Sequence, residues 1–120
     1  MASTTTYRRG QVVVVSVSFT DQAGTKRRPA VVVSAESFHR RLPGVIVCPI
    51  SSQPRYFERP GPGDRPLAKW KSAGLRFRST ARVSNVVAIE KSLIQRVLGK
   101  LSAPDLKALS ATLLDTFGFR

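Results

Sequence analysis

Residues 18–52 read SFTDQAGTKRRPAVVVSAESFHRRLPGVIVCPISS and contain two short apolar runs between polar turns. The first run, PAVVVS, is β-branched and directly follows three cations, Lys26, Arg27 and Arg28. Pro29 lacks an amide donor and keeps the preceding residue extended, which fits the start of a strand. We therefore predict that Arg28 lies on a stiff, extended backbone where a strand begins.

Further strand candidates lie on both sides of this stretch. Residues 11–19, QVVVVSVSF, have period-two character and predict the preceding strand. Residues 44–51, GVIVCPIS, predict the following one, and LAKW, STARVSNVVAI and RVLGKL are further strand candidates. Between them, residues 52–66 read SQPRYFERPGPGDRP, a composition rich in proline, glycine and charge that is typical of a mobile loop.

The C-terminal segment, SAPDLKALSATLLDTFGF, has helical periodicity instead. Ser102 predicts an N-cap, with Asp105 three residues later as in a capping box, and Gly118 predicts the C-cap. Five or six short strands and one helix predict a mainly β, α+β fold, a small, strongly bent barrel closed by the helix. We expect one domain over residues 8–120 after a disordered tail at residues 1–7.

Charge is concentrated in the middle of the chain. The 120 residues carry 20 basic and 7 acidic side chains, a net charge of +13. Of the 20 basic residues, 13 lie between Lys26 and Arg82. Arginine outnumbers lysine 14 to 6, which favours bidentate phosphate recognition over diffuse attraction. A polyanion or an acidic protein is therefore the expected partner, and the alternative is a surface that is basic for solubility alone.

The remaining composition limits compartment and chemistry. Cys48 is the single cysteine, so no internal disulfide can form, and its apolar neighbours indicate a buried thiol. The first ten residues lack the apolar segment of a signal peptide, and the valine run is too short to span a bilayer. We expect a cytoplasmic protein without a membrane partner.

Metal-dependent and triad mechanisms find little support. His39 is the single histidine, the carboxylates show no ligand spacing, and no phosphate-binding glycine loop or Gly-x-Ser-x-Gly turn is present. We expect no metal and no cofactor, and we interpret His39 as solvated or RNA-facing. Arginines and hydroxyls suit an RNA phosphodiester, because its own 2′-hydroxyl can attack the phosphorus once a protein aligns it and stabilises the charge.

Five segments of the chain match a known family in order. They are RRGQVVVVSVSF, FTDQAGTKRRPAVVVS, VIVCPISSQ, WKSAGLRFRSTARV and AIEKSLIQRVLGKLSAPDLKAL, and they cover nearly all of residues 8–117. In these segments the chain resembles the MazF/PemK ribonuclease toxins of bacterial toxin–antitoxin pairs. The resemblance implies an SH3-like barrel of the CcdB/MazF type, a homodimer and an acidic antitoxin. It also implies metal-independent cleavage of single-stranded RNA that leaves a 2′,3′-cyclic phosphate and a 5′-hydroxyl.

The resemblance also implies two catalytic positions. They are Arg28, the arginine before the proline, and Ser51, the hydroxyl residue after Pro-Ile, where the family usually has threonine. The chain departs from the family at Gln11, where an acid is common, at His39, where asparagine is frequent, and at residues 76–79, RFRS, where Lys-Pro-Ser is typical. The residues expected to bind RNA are Lys26, Arg27, His39, Ser52, Gln53, Arg55, Tyr56, Arg59 and Arg65.

These side chains have defined expected roles. A guanidinium stays charged at neutral pH, so we expect Arg28 to stabilise the phosphorane and Ser51 to bond a non-bridging oxygen. Tyr56 is the best candidate for base stacking, whereas Phe57 and Trp70 are as readily explained by core packing. The alternative for the catalytic pair is a surface ion-pair partner and a strand-end hydroxyl.

Two other functions stay open. One is a nucleic-acid-binding barrel that has lost its chemistry, which binding without cleavage would indicate. The other is a poison resembling the gyrase inhibitor CcdB, which acts through a tryptophan near the end of its terminal helix. The second is disfavoured, because this chain ends in LLDTFGFR and its one tryptophan is Trp70.

Overall fold

The computed structural model describes residues 6–18 and 25–119. Its strands are β1 (Gln11–Ser18), β2 (Thr25–Val32), β3 (Gly44–Ser51), β4 (Asp64–Pro66), β5 (Thr80–Arg82), β6 (Val87–Glu90) and β7 (Ile94–Lys100). The helices are α1 (Glu36–Arg41), α2 (Arg55–Glu58) and α3 (Ala103–Phe117), and short 3-10 turns span Val83–Asn85 and Lys91–Leu93. Within the described residues, no helix has the length and apolar character needed to cross a membrane.

The strands form one antiparallel seven-stranded sheet in the order β4-β5-β3-β2-β1-β7, and β6 pairs with β3. The edge of β3 opposite β2 changes partner along its length, from β6 at residues 44–47 to β5 at residues 50–51. Pro49, which has no amide proton to donate, lies between these two pairings. The predicted mainly β fold with a terminal helix is confirmed, and the ladder stays open between β4 and β7 in this part of the chain.

Valines fill both faces of the central strands. Val12, Val31 and Cys48 belong to one buried cluster, which also contains Leu109 of α3. Val13 and Val15 belong to a second cluster on the other face, because successive residues of a strand point to opposite sides. The first cluster fixes α3 against the sheet, since full burial of a leucine stabilises the fold by about 2 kcal/mol.

The terminal helix begins and ends as the sequence predicts. The hydroxyl oxygen of Ser102 accepts a hydrogen bond from the Asp105 backbone N–H at 3.3 Å, and Gly118 adopts φ 74° at the C-cap. The Asp105 carboxylate, however, is buried and accepts the backbone N–H groups of Ala68 and Lys69 at 3.0 and 2.8 Å. The helix N-terminus therefore also fixes the segment that precedes β5.

Two local predictions are wrong, and one short helix is not predicted. Residues 52–66 contain α2 and β4 instead of a mobile loop. LAKW, residues 67–70, forms a turn and not the predicted strand. Two backbone N–H groups of this segment donate to the Asp105 carboxylate, so they are not available to pair with a neighbouring strand. The sequence gives no strong signal for α1, which has six residues and no side-chain N-cap.

One residue of the predicted tail contacts the rest of the described chain. Residues 1–5 of that tail lie outside the described residues. Tyr7 packs against the second apolar cluster, and its carbonyl oxygen is a hydrogen-bond acceptor for a buried side chain of α1.

Candidate active site

An open cavity of about 920 Å³ lies at the N-terminal half of β2 and the C-terminal end of β3. Arg28 and Ser51, the predicted catalytic pair, both line it. The other parts of the chain that contribute to its lining are β1, β6, β7, residues 52–53, residues 74–77 and Ser79. Its charged lining residues, within the described chain, are four arginines, and no aspartate, glutamate or histidine joins them. These cavity arginines are Arg27, Arg28, Arg76 and Arg96.

Strand pairing explains why Arg28 and Ser51 line one cavity. Ala30 pairs with Pro49 and Val31 pairs with Cys48 in the antiparallel ladder between β2 and β3. The same register, extended two residues past the last pair, leads to Arg28 on β2 and Ser51 on β3. The structure therefore brings the two residues to one cavity from two adjacent strands.

The Ser51 hydroxyl is half-buried and already oriented by the backbone. Its oxygen accepts a hydrogen bond from the Gln53 N–H at 3.2 Å. A hydroxyl that accepts one bond can still donate its own proton to another oxygen. Ser52 and Gln53, both predicted to bind RNA, also line the cavity. Ser51 is thus placed to donate to an oxygen atom of a bound ligand.

A second group of arginines is held by protein atoms away from the cavity. The Arg82 guanidinium carbon lies 3.8 Å from the centroid of the Tyr56 ring, and its Nε donates to Asp64 Oδ1 at 2.9 Å. Arg55 donates to the Tyr56 hydroxyl at 2.7 Å. Since Arg82 already covers the Tyr56 ring, the structure does not support this ring as the main base-stacking surface.

The remaining predicted cations also lie outside the cavity lining. Arg65 donates from Nε to Thr112 Oγ1 at 2.9 Å and thereby ties β4 to α3. Lys26 and Arg59 are exposed, and neither belongs to the lining residues. Of the cations predicted to bind RNA beside Arg28, the structure therefore brings Arg27 to the cavity and places the others elsewhere.

The interpretation of His39 as an RNA-facing group is wrong. The residue is 1% exposed and lies in α1, and its Nδ1 lies 2.8 Å from the Tyr7 carbonyl oxygen. The Ser34 hydroxyl bonds its Nε2 and accepts the Ile46 N–H at 2.9 Å. Both ring nitrogens therefore have partners in the interior, where this histidine joins three separate segments of the chain.

Two further aromatic residues also have structural roles. Trp70 packs against the first apolar cluster, and the Phe57 ring lies under the Arg78 guanidinium at 4.3 Å. Burial raises the pKa of the Cys48 thiol from the ordinary value of 9.0 to about 12, although the positive charge of Arg82 acts in the opposite direction. The expectation of a buried cysteine is confirmed.

Several residues that line the cavity have no role predicted from the sequence. Arg76 and Phe77 belong to the segment that departs from the family pattern, and Gln95 and Arg96 lie on β7. The RFR triplet carried the available signal, because an aromatic residue between two arginines is unusual for a core segment. Nothing local in the sequence places β7 beside this cavity. Within the described residues, no group of three or more His, Cys, Asp or Glu could hold a metal ion.

Comparison with known proteins assigns the chain to a family. Residues 8–117 match the model of the PemK-like, MazF-like toxins of type II toxin–antitoxin systems. No curated protein matches the sequence. The fold is similar to a MazE–MazF crystal structure from Deinococcus radiodurans, with a TM-score of 0.76 and 18% identity over 97% of this chain and 99% of that chain.

Two further solved structures share the fold. One is an endoribonuclease from a mycobacterial species in complex with its cognate antitoxin, with a TM-score of 0.74 and 16% identity over 95% of this chain and 97% of that chain. The other is the Mycobacterium tuberculosis toxin MazF-mt6, with a TM-score of 0.66 and 22% identity over 88% of this chain and 96% of that chain. The match to the family model covers most of the sequence. This chain therefore belongs to the family of PemK-like, MazF-like toxins of type II toxin–antitoxin systems.

Proposed function

We propose that this chain is a metal-independent endoribonuclease that cleaves single-stranded RNA, including mRNA, at the arginine-lined cavity. The observation that carries the proposal is that Arg28 and Ser51 line one cavity and that its charged lining residues are arginines. A guanidinium and a hydroxyl are donors suited to a phosphate, and the adjacent cations favour a polyanionic ligand. Family membership supports the same reaction class.

The reaction uses a nucleophile from the substrate. The ribose 2′-oxygen attacks the neighbouring phosphorus, forms a new P–O2′ bond and breaks the P–O5′ bond. The products are a 2′,3′-cyclic phosphate and a 5′-hydroxyl. The proton leaves the 2′-hydroxyl and one is added to the departing 5′-oxygen. Since no carboxylate or histidine is found among the described lining residues, we assign both transfers to water.

Arg28 and Ser51 act on the charge that develops during the attack. The Arg28 guanidinium stabilises the negative charge of the phosphorane, and the Ser51 hydroxyl donates to a non-bridging oxygen. The Gln53 N–H orients that hydroxyl before substrate arrives. Removing one such preorganised donor raises the barrier by about 3 kcal/mol, which is about a hundredfold in rate.

The other cavity arginines position the strand. Arg27 lies on β2, Arg96 on β7 and Arg76 in the segment before β5. These three arginines contact phosphates on either side of the scissile bond. Single-stranded RNA fits this role, because its bases can be splayed away from a backbone that follows a cationic groove. Such binding weakens as salt rises.

We also propose an acidic antitoxin as the partner, with a disordered acidic segment that occupies the cavity and blocks RNA. The net charge of +13 and family membership support this partner. Structures that share the fold contain a toxin bound to its antitoxin. We propose in addition that the toxin acts as a homodimer and in the cytoplasm, where mRNA is available.

The test is cleavage of single-stranded RNA by purified protein in excess EDTA. We expect wild type to cut and to leave a 2′,3′-cyclic phosphate, and Arg28→Ala to cut at least a hundredfold more slowly. Arg41→Ala is the matched control, because Arg41 is an exposed arginine of α1 outside the cavity lining. Intact RNA at high protein concentration, or equal cutting by Arg28→Ala, would overturn the proposal. RNA binding without cutting would favour the non-catalytic barrel.

A further inference from the structure

Phe77 is a large aromatic side chain that the fold leaves in water at the candidate site. It is 66% exposed and lines the same cavity as Arg28 and Ser51. Phe57 and Trp70, from the same region, are half-buried. Burying an aromatic ring is favourable, so a ring left exposed in the single chain beside a cavity is available to a binding partner.

The segment that carries Phe77 is fixed on both sides. Leu75 is buried, and its N–H donates to the Trp70 carbonyl at 3.2 Å. Arg78 stacks on the Phe57 ring, and the Ser79 hydroxyl donates to the Phe77 carbonyl at 2.7 Å. The exposed ring therefore projects from an anchored backbone, and little conformational entropy remains to be lost when a ligand stacks on it.

Two glycines hold this segment against β7. Gly74 has φ 91°, and a Cβ there would lie 2.5 Å from the Leu98 carbonyl oxygen. A Cβ at Gly99 would lie 2.6 Å from the Ala73 carbonyl oxygen. Because the two backbones touch, the position of the Phe77 segment is fixed relative to Arg96 on β7, which lines the same cavity.

We infer that Phe77 is a stacking platform for a nucleobase next to the scissile phosphate, and that Arg76 and Arg96 bind the adjoining phosphates. This inference rests on the proposed ribonuclease function and assigns it a substrate-positioning residue. A flat ring beside guanidinium groups matches a single-stranded nucleic acid, in which flat bases alternate with anionic phosphates. An acidic protein segment would match the cations, but only an aromatic side chain of that segment could stack on the exposed ring.

The chemistry of stacking sets what Phe77 recognises. Every base has a π-face, so the platform requires a base at this position and tolerates its identity. It binds the substrate equally in the ground and transition states, because it does not touch the reacting atoms. Its loss therefore raises KM and leaves kcat nearly unchanged.

The first experiment measures kcat and KM on a short single-stranded RNA. We expect Phe77→Ala to raise KM by roughly tenfold to a hundredfold with kcat within about threefold, and Phe77→Tyr to restore KM. Phe119→Ala is the matched control, because Phe119 is 78% exposed and lies outside the cavity lining. An unchanged KM for Phe77→Ala, or a loss confined to kcat, would overturn the platform.

The second experiment moves a single abasic site along the same RNA. Wild type should lose affinity most at one position next to the cut, and Phe77→Ala should be insensitive to the lesion there. Equal sensitivity of the two proteins at every position would overturn the inference. The inference would also be overturned if Phe77→Ala bound RNA as wild type does but bound an acidic polypeptide such as polyglutamate more weakly.

Failure of the inference and failure of the proposed function give different results. If Phe77→Ala cuts with wild-type KM, the ribonuclease stands and the platform falls. If wild type does not cut, the ribonuclease falls, and fluorescence anisotropy with the same RNA still tests the platform. In that case a roughly tenfold or larger weakening of Kd by Phe77→Ala, reversed by Phe77→Tyr, supports stacking, and an unchanged Kd rejects it.

Discussion

Two groups of arginines in this protein contrast in what surrounds them. The cavity arginines line one depression together with Ser51. The second group, which we call the structural arginines, contacts aromatic rings, a carboxylate or a hydroxyl of the protein itself. The structural arginines are Arg55, Arg65, Arg78 and Arg82.

The number of cations in this sequence therefore overstates the size of its binding surface. Both groups come largely from the same basic middle of the chain. The guanidinium of Arg82 stabilises the fold by pairing with Asp64 and stacking on Tyr56. The cavity arginines line one depression, where a bound anion would interact with several of them at once.

The largest expected effect concerns Ser51, whose hydroxyl lines the same cavity as the cavity arginines. We expect Ser51→Ala to slow RNA cleavage about a hundredfold, because the phosphorane loses a preorganised donor. Ser52→Ala, at the exposed neighbour that also lines the cavity, should slow it less than about tenfold. Single-turnover rates on one RNA measure both. A larger loss for Ser52→Ala would show that the catalytic hydroxyl has been assigned to the wrong residue.

A structural arginine should instead change stability. The Asp64 side chain is 5% exposed and pairs with Arg82. Arg82→Met leaves this buried carboxylate without its salt-bridge partner. We expect the free energy of unfolding to fall by about 2 to 3 kcal/mol. Arg40→Met is the control, because Arg40 pairs with Glu36 on the surface at 3.6 Å and should change it by less than about 1 kcal/mol. Urea titration measures both variants. Equal values would remove the distinction between structural and surface arginines.

The salt dependence of RNA binding gives a smaller effect. Each phosphate contact on a single strand contributes about 0.7 to the slope of log K against log salt. Arg96→Gln should reduce the slope by about that amount, whereas Arg55→Gln, which removes a cation bonded to Tyr56, should leave it nearly unchanged. Binding of a 2′-deoxy-blocked RNA across a salt series measures the slope. If Arg55→Gln reduced the slope as much as Arg96→Gln, the RNA-binding surface would extend beyond the cavity.

The effect that is smallest near neutral pH concerns Cys48, where burial and the charge of a structural arginine shift the thiol pKa in opposite directions. Burial raises the pKa of this thiol to about 12 despite the charge of Arg82, whereas the unfolded thiol titrates near 9.0. Between these values the unfolded state releases a proton that the folded state keeps, so stability falls as pH rises from about 9 to about 12. In Cys48→Ala, the stability should not show this contribution to the fall over the same pH range. Rapid reaction of the folded protein with a thiol reagent at pH 8 would contradict the raised pKa.

Elements with local signals could be predicted from the sequence. The terminal helix has its N-cap Ser102, its leucine periodicity and its C-cap Gly118 within one continuous segment. Ser51 ends β3 two residues after Pro49, whereas Arg28 lies inside β2 and not at its start as predicted. The pairing of these two strands brings both residues to the cavity. Both predictions depend on residues close in sequence, or on one strand pairing.

Features that depend on distant partners could not be predicted in this way. The turn at LAKW is fixed by Asp105 of the terminal helix, 37 residues after Ala68. His39 is buried because it bonds Ser34 and the Tyr7 carbonyl oxygen, and neither contact is encoded in its basic neighbours. The contact between Arg82 and Tyr56 likewise joins β5 to α2. Each of these contacts requires the tertiary structure.

A double-mutant cycle on the cleavage step tests whether Arg28 and Ser51 act on the same phosphate. Single-turnover rates are measured in EDTA for wild type, Arg28→Ala, Ser51→Ala and the double variant. We predict that the double variant is about as slow as Arg28→Ala alone, because groups that act as a unit are not additive. Rate losses that multiply across the cycle would contradict the claim and would assign the two residues to independent roles.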